Sequence, residues 1–305
     1  MKRGAGEALR YSAIARAGVA ALALLLGACS PRLLIVRNVA DQLATQGRSE
    51  EDNLLLARDA AAFYLEFSES VLRQDPGHLP LAEAVAGGFT RYAYAFVGSE
   101  AERLEAQDTR AARRLRERAA RLYRRAQRHA MAALEQHQPG FAQALASPST
   151  AAGGSALQLS PDEVGVAYWA AASWGACISL SKDDPEVVAD LPLAIRLAGL
   201  AWAVQPDHGN GALASLMGTF ELARPGGSRR QAEAYFDRAI AAGAGRNAAV
   251  YVAKAESLAL PAGDRGAYEA LLHQALVAGA ARRDLGNAVM SERAQWLLDT
   301  ADDRF

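Results

Sequence analysis

The 305-residue sequence predicts an all-α protein in which stacked antiparallel helix pairs surround a buried central helix. Alanine is abundant, β-branched residues are sparse, and no run of residues alternates between apolar and polar as a half-buried strand would. Residues 166–180 carry no charge and are fewer than the roughly 20 residues that cross a bilayer. A helix that is apolar on every side must then be buried by protein.

The central helix has a well-marked beginning. Ser160 is a suitable N-cap, Pro161 fits the first helical position, and Glu163 completes a capping box. Three large aromatic side chains stand among the small residues of this helix: Tyr168, Trp169 and Trp174. Two interpretations of these rings remain open, because they can pack in the core alone or line a cavity for an apolar ligand.

The first 28 residues have the organisation of a secretory signal peptide. A positively charged start precedes an apolar segment at 17–26, and Leu-Gly-Ala-Cys follows at 26–29. This ending resembles the lipobox of bacterial lipoproteins, which implies that Cys29 is acylated and begins the mature chain. Ser30 after the cysteine implies release to the outer membrane, so we expect a periplasmic protein with a lipid anchor. An ordinary secreted or inner-membrane-anchored protein is the alternative.

Removal of the signal peptide leaves 277 of the 305 residues, enough for one large or two small domains. We expect a single all-α domain over residues 29–305, with an N-terminal helical half at 29–150 and a C-terminal helical half at 151–305. Residues 1–28 contain four cations and one acid, so the formal charge changes from −1 for the whole chain to −4 for the mature one. This mild acidity argues against a nucleic-acid partner. With Cys29 lipidated, Cys177 has no second cysteine to pair with.

The N-terminal half contains apolar patterns that predict helices at 33–43, 54–73 and 79–97. In the third of these, Phe89, Tyr92 and Phe96 fall at spacings of three and four and share one face. Gly87 and Gly88 beside them allow another backbone to approach closely. As for the central helix, core packing and contact with a ligand both remain open.

Ten arginines between residues 103 and 128 look at first like a nucleic-acid patch. Their spacing places most of them on one stripe of a helix, with leucines and alanines on the opposite stripe. This pattern predicts a long amphipathic helix with a solvated basic face, ended by Gln138-Pro139-Gly140. The alternative role for the basic face is docking of an acidic partner or of lipid headgroups.

The C-terminal half pairs its helices after a loop at 147–160 rich in small and polar residues. Helix pairs are predicted at 209–223 with 232–242 and at 247–260 with 266–278, and a last helix at 287–300 with Trp296 facing inward closes the stack. Ala232, Phe236 and Ala239 have the spacing of a tetratricopeptide second helix. The repeats are degenerate, so the prediction is a stack of tetratricopeptide-like helical pairs.

Motifs that carry catalytic or metal chemistry are missing from the sequence. None of the five histidines forms an H-x-x-x-H pair, and there is no G-x-S-x-G elbow and no Walker A loop. A G-x-G-x-x-A sequence at 243–248 follows a predicted helix rather than a strand, so it does not indicate a dinucleotide site. We therefore expect no enzymatic activity, no catalytic residue, no metal and no cofactor.

Four segments together resemble the TatT family of tetratricopeptide-type lipoproteins associated with TRAP transporters: residues 88–97, 168–176 with 181–184, 206–209 and 232–240. The resemblance covers nearly the whole mature chain. It implies a homotrimer with a pore or cleft in each subunit. It also implies a partnership with the periplasmic substrate-binding protein of a TRAP system, which imports organic acids and related solutes.

The function implied by this resemblance is the relay of a hydrophobic or organic-acid ligand through an internal pore to the substrate-binding protein. From the clustering of aromatic residues beside small ones, we expect the pore to be lined by Phe89, Tyr92, Phe96, Tyr168, Trp169 and Trp174. The alternative is a scaffold lipoprotein in cell-envelope assembly, which would hold an extended peptide in a groove and need no enclosed cavity.

Overall fold

The computed structural model describes residues 31–46, 54–147 and 157–305, and within these ranges the chain forms helices and turns without any β-strand. The predicted all-α fold is therefore confirmed. The predicted signal peptide, the lipidation site Cys29 and the predicted division between residues 150 and 151 lie outside the described residues.

The helices follow one another in two groups, before and after residues 148–156. The first group is α1 (Pro31–Gln46), α2 (Leu54–Leu72), α3 (Leu79–Tyr92), α4 (Ser99–Leu104), α5 (Thr109–His137) and α6 (Phe141–Ala146). The second group is α7 (Val164–Ser179), α8 (Pro185–Val188), α9 (Leu191–Val204), α10 (Ala212–Ala223), α11 (Arg229–Ala242), α12 (Ala248–Lys254), α13 (Arg265–Ala281) and α14 (Leu285–Asp299). Two π-helical segments, Ala93–Gly98 and Ala255–Ala259, directly follow α3 and α12.

Helix α7 is the central helix, and it packs against α3, α5 and α9. The predicted capping box is present, since the backbone N–H of Ser160 donates to the Glu163 carboxylate at 2.7 Å. Ala167, Ala170 and Ala171 are fully buried and let the neighbouring helices approach. The aromatic side chains Tyr168, Trp169 and Trp174 are only half-buried. The central helix is thus buried over much of its surface but not on every side.

Helix α5 is amphipathic as predicted, with alanines and Tyr123 buried and most arginines on the solvent side. Asp108 caps its N-terminus by accepting a hydrogen bond from the backbone N–H of Ala111 at 2.8 Å. The predicted stop is observed after His137, where Gly140 adopts a φ of 85° that favours glycine.

The C-terminal helices pack in consecutive antiparallel pairs, α10 with α11, α12 with α13, and α13 with α14. The positions predicted to face inward are buried, including Phe236 on α11 and Tyr268 and Leu272 on α13. The largest core cluster joins residues on both sides of 148–156, from Ala40 of α1 to Phe220 of α10. The single domain expected over 29–305 stays a prediction.

One stretch of the described residues, Pro185–Val204, is long and apolar enough to cross a membrane by length and composition alone. A turn at residues 189 and 190 divides it into α8 and α9, and α9 packs along α7. The Asp190 carboxylate accepts a hydrogen bond from the Trp174 indole at 3.2 Å, and Arg196 donates to the Leu145 carbonyl at 2.7 Å. These contacts join the stretch to the rest of the folded chain.

A buried ionic cluster joins α2 to α5. The Glu69 side chain, only 3% exposed, accepts hydrogen bonds from Arg125 and from His129, the latter at 2.6 Å. The Arg125 guanidinium is the main cause that lowers the pKa of Glu69 to about 2. The ionised carboxylate therefore stabilises the fold above its ordinary pKa, and this contribution is lost as the pH falls towards 2.

We expect Glu69→Ala to lower the free energy of unfolding by about 3 kcal/mol at pH 7, because it leaves the Arg125 charge without its buried partner. The matched control is Glu66→Ala, since Glu66 also pairs with Arg125 but is 60% exposed and should contribute less than about 1 kcal/mol. Urea unfolding between pH 7 and pH 2 measures both effects. Equal losses for the two variants, or a Glu69 effect that persists at pH 2, would contradict this account.

Candidate functional site

The aromatic face of α7 lies against α3 and forms the wall of a recess. Gly87 of α3 is required here, since a Cβ atom at this position would lie 2.7 Å from Cε2 of Trp169. The Tyr168 and Trp169 rings meet edge to face, with their centroids 4.8 Å apart. On the other side of Tyr168, the His208 ring lies with its centroid 5.4 Å away. We call the group of side chains formed by Arg91, Tyr168, Trp169 and His208 the aromatic recess.

Arg91 is the charged residue of the aromatic recess. Its guanidinium carbon stands 4.9 Å from the centroid of the Trp169 ring, in cation–π geometry. The side chain is exposed to solvent, yet burial by surrounding protein lowers the pKa of Arg91, with Tyr168 and Glu83 opposing the shift. An arginine remains charged there at all physiological pH values.

No hydrogen bond or ion pair joins the Arg91 guanidinium to another residue of the described part of the chain. Because the Arg91 side chain is exposed, water reaches its donors while the Trp169 ring covers one face of the guanidinium.

The other titratable groups of the recess are neutral at pH 7. Burial raises the pKa of Tyr168 to about 12, although Arg91 opposes this shift. Burial also lowers the pKa of His208, and the nearby Glu83 carboxylate opposes that shift only in part. The aromatic recess thus contains one cation, the Arg91 guanidinium. It also contains two neutral polar groups, the Tyr168 hydroxyl and the His208 imidazole, and an aromatic surface.

A solvent-open groove of about 740 Å³ leads towards the recess and includes Glu83, Gly165 and His208 in its lining. The Glu83 carboxylate lies directly against Gly165 at the start of α7, in space that a Cβ atom there would occupy. Residues 83, 87 and 91 follow one another at spacings of four and therefore share one face of α3. This face connects the groove to Arg91.

A second, smaller cavity of about 120 Å³ lies at the other end of α3, beyond the first π segment. Phe96, Arg293 and Trp296 contribute to its lining. Glu83 and Phe96 are 13 residues apart along a helical segment, which corresponds to about 20 Å. The two openings therefore lie at opposite ends of the same helix.

The six aromatic residues predicted to line a pore occupy separate places. Tyr168 and Trp169 form the recess, and Tyr92 packs on Phe96 with ring centroids 5.4 Å apart, near the second cavity. Phe89 is only 3% exposed and lies in the core, with the Arg125 guanidinium carbon 4.6 Å from its ring centroid. Trp174 is half-buried and bonded to Asp190.

Three polar residues of this region were not singled out from the sequence for the site: Glu83, Arg91 and His208. The spacing of four between Glu83, Gly87 and Arg91 was a usable signal, since it places a carboxylate and a guanidinium on one face. A search for aromatic clusters does not detect this spacing of charged residues. Within the described residues, no group of three or more His, Cys, Asp or Glu side chains is arranged to hold a metal ion.

Comparison with known protein families identifies the family of this chain. A sequence profile described as TAtT, TRAP transporter T-component, matches residues 50–305, which is most of the chain and includes every recess residue. The protein belongs to the TAtT family. Membership associates the chain with a TRAP transport system of the cell envelope.

A similar protein occurs in Treponema pallidum (strain Nichols), where it is named an uncharacterized protein. It is 27% identical to this TAtT chain over 204 residues, which covers 66% of the chain and 63% of the relative. The chain therefore spans somewhat less than two thirds of that relative's length.

Proposed function

We propose that this TAtT protein is a periplasmic lipoprotein, anchored through Cys29 to the outer membrane, that delivers a hydrophobic or organic-acid ligand to the substrate-binding protein of a TRAP uptake system. The ligand passes through an internal pore, and the protein acts as a homotrimer. Family membership supports the transport role, and the lipobox-like sequence at 26–29 supports the anchor.

The observation that carries this proposal is the groove of about 740 Å³ beside the start of the central helix, with Gly165 and His208 in its lining. The second cavity at the opposite end of α3 provides an exit about 20 Å away. The pore of the proposal runs along α3 between these two openings.

The partnership is tested with purified mature protein carrying Cys29→Ser, mixed with the substrate-binding protein of the TRAP system from the same organism. We expect a complex in sedimentation velocity that contains three copies of this chain. A substrate-binding protein unrelated to TRAP systems is the control. A monomer that shows no interaction with the TRAP protein would overturn both the trimer and the partnership.

A second candidate, a scaffold lipoprotein of the cell envelope, is favoured by the openness of the groove and by polar residues at its mouth, among them Asp75, His78 and Asp162. Such a groove can hold an extended peptide. Under this alternative, groove substitutions would change protein binding while substitutions in the aromatic recess would change nothing measurable.

A further inference from the structure

The outer face of α5 carries a stripe of exposed arginines. Between residues 110 and 128 the chain has nine arginines and one acidic residue, Glu117, so this stretch has a formal charge of +8. Within the described residues, the arginine ion pairs of α5 involve Arg113, Arg116 and Arg125. Six other arginines are exposed and have no acidic partner among the described residues: Arg110, Arg114, Arg118, Arg121, Arg124 and Arg128. These six extend along the helix for about 27 Å.

An exposed aromatic pair lies on the outer face of α2. Phe63 is 77% exposed and Phe67 is 44% exposed, while Leu65 and Leu72 of the same helix are buried in the core. The two phenylalanine rings are parallel, with their centroids 6.2 Å apart. Large rings that remain in water lack the hydrophobic free energy that burial would provide. The pair is therefore a place where a second apolar phase can cover the protein.

The aromatic pair and the arginine stripe are neighbours on the surface, because an ion pair joins their helices. The Glu66 carboxylate of α2 lies 3.0 Å from the guanidinium of Arg125 on α5. Glu66 directly precedes Phe67, and Arg125 is flanked within about one helical turn by other members of the stripe. We call the following five residues the basic–aromatic surface: Phe63, Phe67, Arg118, Arg121 and Arg128.

The chemistry of the basic–aromatic surface matches a lipid bilayer. Neither of the two cavities described above includes any of its residues, so its charges are spread over helical faces that suit a broad partner. Anionic phospholipids provide phosphate groups for the guanidinium groups, and the boundary between headgroups and acyl chains accepts aromatic rings. An acidic protein would match the arginines, but it would not by itself account for the exposed rings beside them.

The start of α1 places the same part of the protein near a membrane. Helix α1 begins at Pro31, two residues after Cys29, and packs on α2, where the Tyr64 hydroxyl donates to the Leu43 carbonyl. With Cys29 lipidated as proposed above, so short a connection holds α1 and α2 beside the bilayer.

We propose that the basic–aromatic surface docks on a bilayer that contains anionic phospholipids. The arginines contact the headgroup phosphates, and Phe63 and Phe67 enter the boundary with the acyl chains. Docking fixes which side of the protein faces the membrane, which a lipid anchor alone does not. This inference goes beyond the relay function and does not depend on it.

Co-sedimentation of the mature Cys29→Ser protein with vesicles tests docking without the contribution of the lipid anchor. One set of vesicles contains phosphatidylcholine alone, and in the other about one third of the lipid is phosphatidylglycerol. We expect the partition coefficient to be at least about 10-fold higher on the anionic vesicles and to fall steeply as sodium chloride is added. Equal partition on the two sets, or no binding to either, would overturn the proposal.

The triple variant Arg118→Gln, Arg121→Gln, Arg128→Gln is expected to bind the anionic vesicles at least about 10-fold more weakly. The matched control is Arg229→Gln, Arg230→Gln, Arg283→Gln, which removes the same charge from exposed positions in the C-terminal half. We expect the control to stay within about two-fold of the unsubstituted protein. An equal loss in both variants would overturn the proposal, because it would reduce the effect to net charge.

The double variant Phe63→Ala, Phe67→Ala tests the rings separately from the charges. We expect binding to anionic vesicles to weaken about 5-fold or more while its dependence on salt stays the same. Val277→Ala, at a position that is 70% exposed on α13, is the control for loss of an exposed apolar side chain. Unchanged vesicle binding in the double variant would overturn the entry of the rings into the bilayer.

A protein occupant gives a different result. If the triple arginine variant loses its complex with the TRAP substrate-binding protein while its binding to both sets of vesicles equals that of the unsubstituted chain, an acidic protein face occupies the stripe. That result would overturn membrane docking and leave the proposed partnership in place.

Discussion

Replacement of Arg293 by methionine is expected to lower the free energy of unfolding by about 3–5 kcal/mol, the usual cost of removing one partner from a buried ionic group. The Arg293 side chain is only 8% exposed and donates to Glu256 at 2.6 Å and to Glu102 at 3.1 Å. Its guanidinium carbon also stands 5.2 Å from the centroid of the Tyr94 ring. Without the cation, two carboxylates from distant parts of the chain would face each other without compensation.

Urea unfolding followed by circular dichroism at pH 7 measures this loss. The matched control is Arg103→Met, because Arg103 pairs with Glu292 near the same cavity but in an exposed position. We expect the control to change stability by less than about 1 kcal/mol. Similar losses of unfolding free energy in the two variants would show that the ion pairs of Arg293 with Glu102 and Glu256 do not join the N-terminal helices to α14.

Replacement of Trp169 by alanine is expected to lower the free energy of unfolding by about 2–3 kcal/mol. It is also expected to weaken by 10-fold or more the binding of octanoate, an eight-carbon organic acid used as a probe for the ligand of the proposed relay. The stability loss is smaller than for a fully buried ring because Trp169 is half-buried. The binding loss follows because the indole both forms the wall of the recess and stacks on Arg91, with 4.9 Å between the guanidinium carbon and the ring centroid.

Trp174→Ala is the matched control, since Trp174 lies on the same helix, is also half-buried and bonds to Asp190 away from the recess. We expect a comparable stability loss with a change in octanoate affinity of less than three-fold. Calorimetry on the two variants separates a general effect of aromatic packing from a specific effect on the site. Equal binding losses would contradict the placement of the ligand at Trp169.

Much of the fold follows from local patterns in the sequence. The capping box at Ser160 and Glu163, the stop at Gly140 and the buried repeat position Phe236 depend on spacings and residue types within one or two helical turns. Interactions of this range are visible in a single sequence. The central helix was predicted for the same reason, because its lack of charge requires burial.

The π segments were not predicted, and the helix expected at 79–97 changes to π geometry at residue 93. The backbone N–H and the hydroxyl of Ser99 both donate to the Tyr94 carbonyl, five residues earlier, and Tyr94 packs beside Arg293 from α14. The contact between Tyr94 and Arg293 joins residues about 200 positions apart, and no local sequence pattern predicts it. Such π segments are frequent at functional sites.

The candidate site, like the fold, combines features that local sequence patterns predict with features that depend on residues far apart in the sequence. Aromatic clustering in the sequence singled out Tyr168 and Trp169, whose place in a pore stays a prediction, and the resemblance to the TatT family was confirmed by the match over residues 50–305. The contact of Arg91 with the Trp169 ring depends on the packing of α3 against α7, which no local sequence pattern shows. His208 joins the recess from the turn before α10, far from both helices in the sequence.

The most direct test of the central claim, that an internal pore carries a ligand, is native mass spectrometry of the mature Cys29→Ser protein purified from the periplasm without detergent. We expect a trimer that carries a small acid, released on denaturation, and that loses this mass when the TRAP substrate-binding protein is added. A bare monomer, or a trimer without a bound molecule that also fails to take up added octanoate, would contradict the account.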